Sequence, residues 1–460
     1  MKLEENLKEI SKNFPESNLN PNDIYKKANI NDNKTINKKY VIFASIIMAV
    51  ITLMFTIPYL TLNNNKNNNL VKLLSEISET KTVAEPENYA DFIIKYNNFS
   101  SKIADYALDY DTKDNTVISP YSIFSCLVLL SAIADNDSKI EILNALNMDE
   151  KLIIDNYPYF YSLHNYENTI SQEKTYNSIF IQNDLKIKND CINNLANNYY
   201  CYQYQADFKN NFTNKMITDY VSKNTNGLIN EDFEISKEAI AVLINSLYLK
   251  TIWNEPLQET ENSYNFKNND LSITSTKLYK ADYSYGKVKQ ENNYSHFYCK
   301  TKNNYKMKII LPNEGINISD IFDNELIAYV NNYHNYDDSN IYTRCVFPKF
   351  KLESSLLGLK ELLNNKLGIK KIFDSANADL SKLFYINPND NVYVDEIKHK
   401  SVLEVDEKGI VGASVTMAII AETTARIIEK KEDFIIDKSF GVIITNKNDE
   451  ILFTGIIDKI

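Results

Sequence analysis

Near the C-terminus the chain reads GIVGASVTMAIIA, Gly409 to Ala421, with no charge, no proline and a high share of small or β-forming residues. Such a run is a strand fit to lie between two other strands, since at a sheet edge its backbone and apolar side chains would face water. It therefore asks for a sheet of several strands. Charged residues bracket it, with Asp406, Glu407 and Lys408 before and Glu422 and Arg426 after. A segment suited to a sheet interior but bounded by solvated flanks points to function by conformational change rather than by chemistry.

The 460 residues suffice for one large domain with appendages, or for two or three ordinary ones, and 44% hydrophobic residues are ample for a buried core. With 50 basic against 61 acidic residues the chain is mildly acidic. That argues against a nucleic-acid partner, which needs a basic stripe to displace counterions from phosphates. Five cysteines, Cys126, Cys191, Cys201, Cys299 and Cys345, are scattered and never in CxxC spacing. Buried free thiols are the expectation rather than a disulfide framework or a zinc site, with a single bridge near Cys191–Cys201 left open. The four histidines, His164, His296, His334 and His399, form no HExxH pair, and there is no GxSxG elbow, P-loop or GxGxxG. No enzyme activity, metal or cofactor is expected, and His399 beside an apolar strand reads as a structural histidine.

Residues 41–62, VIFASIIMAVITLMFTIPYLTL, carry no charged side chain. As a helix they rise roughly 33 Å, enough to cross a hydrocarbon core of about 30 Å. A hydrophilic stretch precedes them, which favours an uncleaved anchor over a signal peptide with its short basic start. Lys34, Lys38 and Lys39 crowd the N-terminal flank against Lys66 on the other. The positive-inside tendency then places residues 1–40 in the cytoplasm and the rest outside a single-pass cell-membrane anchor. The tail is loosely folded apart from one amphipathic helix carrying Leu3, Leu7 and Ile10, and residues 63–87 are a polar spacer ending at AEPEN.

Residues 88–460 read as one α+β domain. FIIKYNNFSSKIADYALDY is a helix with Ile103, Ala107 and Leu108 on one face. NTVISPYSIFSCLVLLSAIA is a short strand, a Ser-Pro step and a helix with almost no polar side, which must be buried. SKIEILNAL starts at Ser138 as N-cap with Glu141 at capping-box spacing. AIAVLINSLYL, residues 239–249, suits a sheet interior. YTRCVFPKFKLE, NVYVDEIKH, FGVIITN and EILFTGII read as strands, with a helix around LLGLKELLNNKLG.

These residues carry a resemblance. NTVISPYSIFSCLVLLSAIADNDSKIEILNALN looks like the first signature region of the serpins, with its Ser-Pro-x-Ser-Ile core at Ser119, Pro120, Ser122 and Ile123. ITDYVSKNTNGLI is similar to the Thr-x-Gly-x-Ile pattern, at Thr225, Gly227 and Ile229. INSLYLKTIWNEPL resembles the Asn-x-x-Tyr-x-Lys-x-x-Trp segment, at Asn245, Tyr248, Lys250 and Trp253. FPKFKLESSLLGLKELLNNKLGIKKIF, HKSVLEVDEKG and ILFTGIID complete the set in the family's order across nearly all of residues 88–460.

The resemblance implies a serpin fold: large mixed and antiparallel sheets, about eight or nine helices and an exposed reactive-centre loop at about 407–432, here preceded by one transmembrane helix in a membrane-anchored, bacterial member. It implies a protease inhibitor, not an enzyme, that acts as a suicide substrate and a monomer. The loop is cut and inserts as a strand into the main sheet, dragging the acylated serine or cysteine protease with it. The hinge is Glu407, Gly409, Ile410, Gly412, Ala413, Ser414 and Thr416. Ile410, Gly412, Ser414, Thr416, Ala418 and Ile420 share one face at period two. Ile410 and Val411 stand where inhibitory members carry Thr or Ser and then Glu. Hinge spacing puts the reactive bond at Thr423–Thr424, suiting an elastase- or subtilisin-like protease. The length of the segment to Phe440 leaves Arg426–Ile427 and a trypsin-like target open. Ser119, Ser122, Asn245 and His399 fall on the polar cluster beneath the sheet, and Trp253 near its top. A non-inhibitory binding protein on the same fold and, further off, a surface hydrolase are the alternatives.

Overall fold

The computed structural model describes residues 70–75, 77, 83–110, 115–230, 235–336, 341–356, 358–386, 392–394, 397, 399–411 and 430–460. The tail and anchor expected at 1–62 lie outside these residues, as do Gly412, Ala413, Ser414, Thr416, Thr423, Thr424, Arg426 and Ile427. No described helix is long and apolar enough to cross a membrane.

Eight α-helices are described: α1 (Tyr89–Tyr110), α2 (Pro120–Ile133), α3 (Asn136–Leu146), α4 (Glu150–Leu163), α5 (Asn189–Asn198), α6 (Asn211–Asn224), α7 (Asn324–Asn332) and α8 (Leu359–Leu367). All fourteen residues of α2 are buried, as its unbroken apolar surface demands. It starts where it does because Ser119 caps it, accepting from the Ser122 N–H, while Pro120 fills the first turn without losing a needed donor. α1 presents Phe92, Tyr96, Phe99, Ile103 and Ala107 to the core at helical spacing.

The main sheet runs, from edge to edge, β1 (Val71–Ser75), β5 (Cys201–Ala206), β4 (Ser171–Gln182), β6 (Ala241–Ile252), β18 (Gly409–Val411), β17 (His399–Val405) and β16 (Phe350–Leu356), with β3 (Tyr166–Glu167) on β4. Only the β4–β5 pair is parallel. A second sheet lies in the order β12 (Lys289–Gln290), β13 (Tyr294–Lys300), β14 (Lys306–Pro312), β20 (Phe440–Thr445), β21 (Ile451–Ile457) and β2 (Asn115–Ile118). β20 and β21 are buried along their whole length, and their sequences are accordingly continuous apolar runs. A third sheet holds β11 (Ser284–Tyr285), β15 (Ile341–Phe347), β10 (Tyr279–Lys280) and β7 (Gln258–Glu259), with β19 (Lys430–Ile435) parallel to β15. β8 (Tyr264–Lys267) and β9 (Ile273–Thr276) form a separate pair. A smaller core joins Phe180, Ile217, Val221, Ile229, Ile244 and Val402, so α6 and the segment after it pack against both β6 and β17.

Several elements depart from the sequence reading. The segment read as a polar spacer contains β1, paired antiparallel with β5 from Val71↔Ala206 to Ser75↔Gln203. α3 begins at Asn136 with Asp135 as its cap residue, because the Ser138 hydroxyl accepts instead from the Asp379 N–H and Glu141 from those of Lys370 and Lys371. Val392–Val394 forms no strand, and β17 starts only at His399. All five cysteines are free and buried. Within the stretch read as a loop at about 407–432, Gly409–Val411 is strand β18 and β19 begins at Lys430.

Candidate functional site

β6 and β17 flank a slot in the middle of the main sheet, and β18 occupies its upper end. Gly409, Ile410 and Val411 face Ile252, Thr251 and Lys250 on β6, while Ile410 and Val411 face Val405 and Glu404 on β17. Among the described residues no rung joins β6 directly to β17. The turn into β18 is held from within, as the Asp406 carboxylate accepts from the N–H groups of Lys408 (2.8 Å) and Gly409 (2.9 Å). It is held from outside by Trp253, whose indole N–H donates to the Asp406 carbonyl at 2.9 Å and whose backbone N–H donates to Lys408 at 3.0 Å. Glu407 pairs with Lys349 at 3.1 Å, and its carboxyl is held below its usual range by a backbone hydrogen bond and that lysine. Position 409 has no room for a side chain, because a Cβ there would lie 2.1 Å from the Thr251 carbonyl oxygen. Ile410 is fully buried over a hydroxyl chain in which Ser171 donates to Thr251 (2.9 Å) and Thr251 to Thr301 (2.8 Å).

Lower in the slot, the Ser119 N–H donates to His399 Nε2 at 3.3 Å, and the Ser401 hydroxyl lies 2.9 Å from the same nitrogen. Nε2 is thus the acceptor, and burial pushes the His399 pKa down to about 4, so the ring is neutral. The Ser119 hydroxyl accepts from the Ser122 N–H and donates to the Leu452 carbonyl at 2.9 Å. Ser119, Ser122, Thr225, Leu247, Ser401 and Phe453 line a small crevice here. Asn245 stands on the β6 side, away from that histidine, donating to Asn177 Oδ1 at 2.8 Å; its own Oδ1 is buried without a partner. Asn177 in turn donates to the Tyr157 hydroxyl and the Tyr199 carbonyl, both at 3.0 Å.

The structure therefore brings Ser119, Ser122 and His399 together, and sets Asn245 across the slot from them. It places Trp253, Glu407, Gly409 and Ile410 around one hinge. Sequence reading missed Ser401, Asn177, Asp406 and Thr251. Ser401 was findable, two residues from His399 on the same strand face. In the sequence Asp406 reads only as a flanking charge. No cluster of His, Cys, Asp or Glu able to hold a metal ion occurs among the described residues.

Residues 95–459 match the family model described as Serpin (serine protease inhibitor). Serpin A3-1 of Bos taurus is 27% identical over 358 residues, covering 74% of this chain and 82% of that protein. The solved structure of tengpin, a thermophilic serpin, in its native state superposes with a TM-score of 0.72 at 23% identity, over 85% of this chain and all of that one. Human thyroxine-binding globulin, complexed with thyroxine, superposes at a TM-score of 0.65 with 21% identity, over 80% of this chain and 99% of that one. Hinge and slot both lie within the residues the family model matches, and the chain belongs to the serpin family.

Proposed function

We propose that the chain is a suicide-substrate inhibitor of a protease, and that residues 409–420 are the strand for which the slot is shaped. The register of β18 carries this reading. Continued past Val411 in an inserted strand, it would set Gly412 between Leu249 and Leu403, Ser414 between Leu247 and Ser401, and Thr416 between Asn245 and His399. Gly412 would thus meet two leucines, Ser414 a leucine and a serine, and Thr416 two polar groups. Thr416 would reach both the orphaned Asn245 Oδ1 and the His399 ring, completing a buried polar set that is now open. On that register Ile420 would be the last residue with a β6 partner, opposite Ala241, one residue before the end of the uncharged run at Ala421. Glu422 and the bond Thr423–Thr424 would then fall just past the inserted strand, so a protease acylated there would be carried along about twelve residues of strand, roughly 40 Å.

The partner is an elastase- or subtilisin-like protease if Thr423–Thr424 is cut and a trypsin-like one if Arg426–Ile427 is cut. The segment 41–62 anchors the protein in the cell membrane, with 1–40 cytoplasmic and the inhibitor domain outside. A non-inhibitory binding protein is the second reading, favoured by Ile410 and Val411 at the hinge. The test is to cut the full-length chain once within 412–429 and compare its heat stability before and after. Insertion raises the melting temperature well above that of the uncut form, and mass spectrometry of the C-terminal fragment names the bond. An unchanged melting temperature leaves the binding-protein reading standing.

A further inference from the structure

His164, the C-terminal cap of α4, is fully buried between two carboxylates that are themselves fully buried. Its Nδ1 lies 2.5 Å from Glu173 on β4, and its Nε2 lies 3.2 Å from Glu450, off-axis, as an ion pair rather than an aimed hydrogen bond. Glu173 also accepts from the Tyr305 hydroxyl, and Tyr305 is linked to Tyr166 at 2.5 Å. Glu450 accepts from the Tyr89 hydroxyl at 2.7 Å and from the Asn446 amide. Burial works against a charged imidazole here, but the two carboxylates outweigh it and hold its pKa up at about 9. Glu450 stays below the usual carboxylate range despite its burial, His164 being the chief reason. An ionic cluster of this kind is a poor way to add stability, since desolvation consumes most of the Coulombic gain. Its place in the fold gives it another use.

Glu173 and Glu450 belong to different layers. Glu173 is on β4, and Glu450 and Asn446 form the turn between β20 and β21 of the second sheet. β4 and β6 are paired rung by rung from Ser171↔Thr251 to Ile181↔Ala241, so they move together. The other half of the main sheet is fastened separately, to β2 of the second sheet through Ser354 on β16, which accepts from Val117, and to the start of α2 through His399 on β17, which accepts from Ser119. Among the described residues no rung joins β6 to β17 below Val411, but a strand fits there only when the two halves stand two strand spacings apart, about 9.6 Å, so insertion depends on their freedom to move relative to each other. Val411 pairs with Lys250; the next residue of β6, Leu249, is the one whose partner on β4 is Glu173. The ion cluster thus grips the sheet beside the first position below Val411 that an inserting strand has yet to fill.

We propose that His164, Glu173 and Glu450 form a latch that fastens the β4–β6 half of the main sheet to the second sheet and sets the rate at which residues beyond Val411 insert. It rests on the inhibitor reading and adds the regulation of the same slot. Glu450→Gln and His164→Gln keep side chains of similar reach and remove the charge pairing. In the full-length chain, uncut and held below its melting temperature, conversion to a heat-stable, loop-inserted form is timed by emission of Trp253, the chain's single tryptophan. Each variant, and the double variant no more than either, should convert about tenfold faster or more, since losing one partner of a buried pair is costly only while the other stays buried. The cut, inserted form should lose less heat stability than the uncut form. Equal losses in both forms with a wild-type conversion rate overturn the latch while leaving the inhibitor intact. A wild-type chain that gains no heat stability on cutting overturns both.

Discussion

The hinge offers the sharpest perturbation, Gly409→Ala. A Cβ at this position would stand 2.1 Å from the Thr251 carbonyl oxygen and 2.9 Å from the Ile252 Cα, against the 3.4 Å at which ordinary contact begins. Both obstacles are backbone of β6, which is locked to β4 and cannot give way cheaply. β18 would have to retreat by more than 1 Å, enough to break its rungs to β6. Ile410 would then leave a fully buried site, a loss of roughly 2 kcal/mol, and each rung lost removes about 1 kcal/mol. Freeing three residues returns about 1–2 kcal/mol of backbone entropy each, so the net change in global stability is small. The local effect is not small. Hydrogen exchange should show amides 409–411 protected in the wild type and unprotected in the variant, with a melting temperature lower by no more than a few degrees. Unchanged protection at 410 and 411 in Gly409→Ala would refute the claim that β18 fits only because residue 409 has no side chain.

Trp253→Phe removes the indole donor to Asp406 while keeping an aromatic body, and should loosen the same amides at a cost of about 1 kcal/mol, read by exchange and thermal melting. Ser119→Ala deletes the cap of α2 and the bond to Leu452, and should lower unfolding free energy by about 1–3 kcal/mol in denaturant titration. Acid and alkali should act through different histidines. His399 has its pKa depressed by burial to about 4, so the unfolded chain takes up its proton first, and stability falls as pH drops from about 6.5 to about 4, by at most about 3 kcal/mol; His399→Asn should flatten that limb. His164 is raised to about 9, so its contribution is complete below about 6.5 and lost as pH rises through about 9, a limb that His164→Gln should remove. Its neighbours Tyr89, Tyr96, Tyr121 and Tyr305 are pushed upward by burial and stay neutral across that range, and Glu450 titrates on the acid side.

Elements whose sequence pattern is strong by itself were legible. α2 has no polar face to offer water, β6 is an apolar β-branched run, and the Ser-Pro step fixes the start of α2, so the structure has little freedom at these places. β1 was not legible, because VKLLS lies in a polar context and owes its strand conformation to the free edge of β5 and to Val71 and Leu74 finding apolar surface. The start of α3 was misplaced because Ser138 is a sound cap by local rules, but its hydroxyl is taken by Asp379, 241 residues away. At the site, the glycine and the inward face of the hinge could be read from spacing, whereas the split of the polar cluster across the slot could not. That split depends on β6 and β17 standing apart, a tertiary fact. The latch residues escaped for a similar reason, since His164, Glu173 and Glu450 share no local pattern and meet only through the stacking of two sheets.

The central claim is that a protease cutting the loop is trapped by insertion of the strand that begins at Gly409. Mixing the full-length chain with elastase-, subtilisin- and trypsin-like proteases and resolving the products on a denaturing gel tests it most directly. The account predicts, with at least one of them, a band that resists denaturation at the summed mass of protease and inhibitor, with protease activity lost in proportion. Clean cleavage within 412–429 by every protease, with full activity retained and no such band, would contradict it.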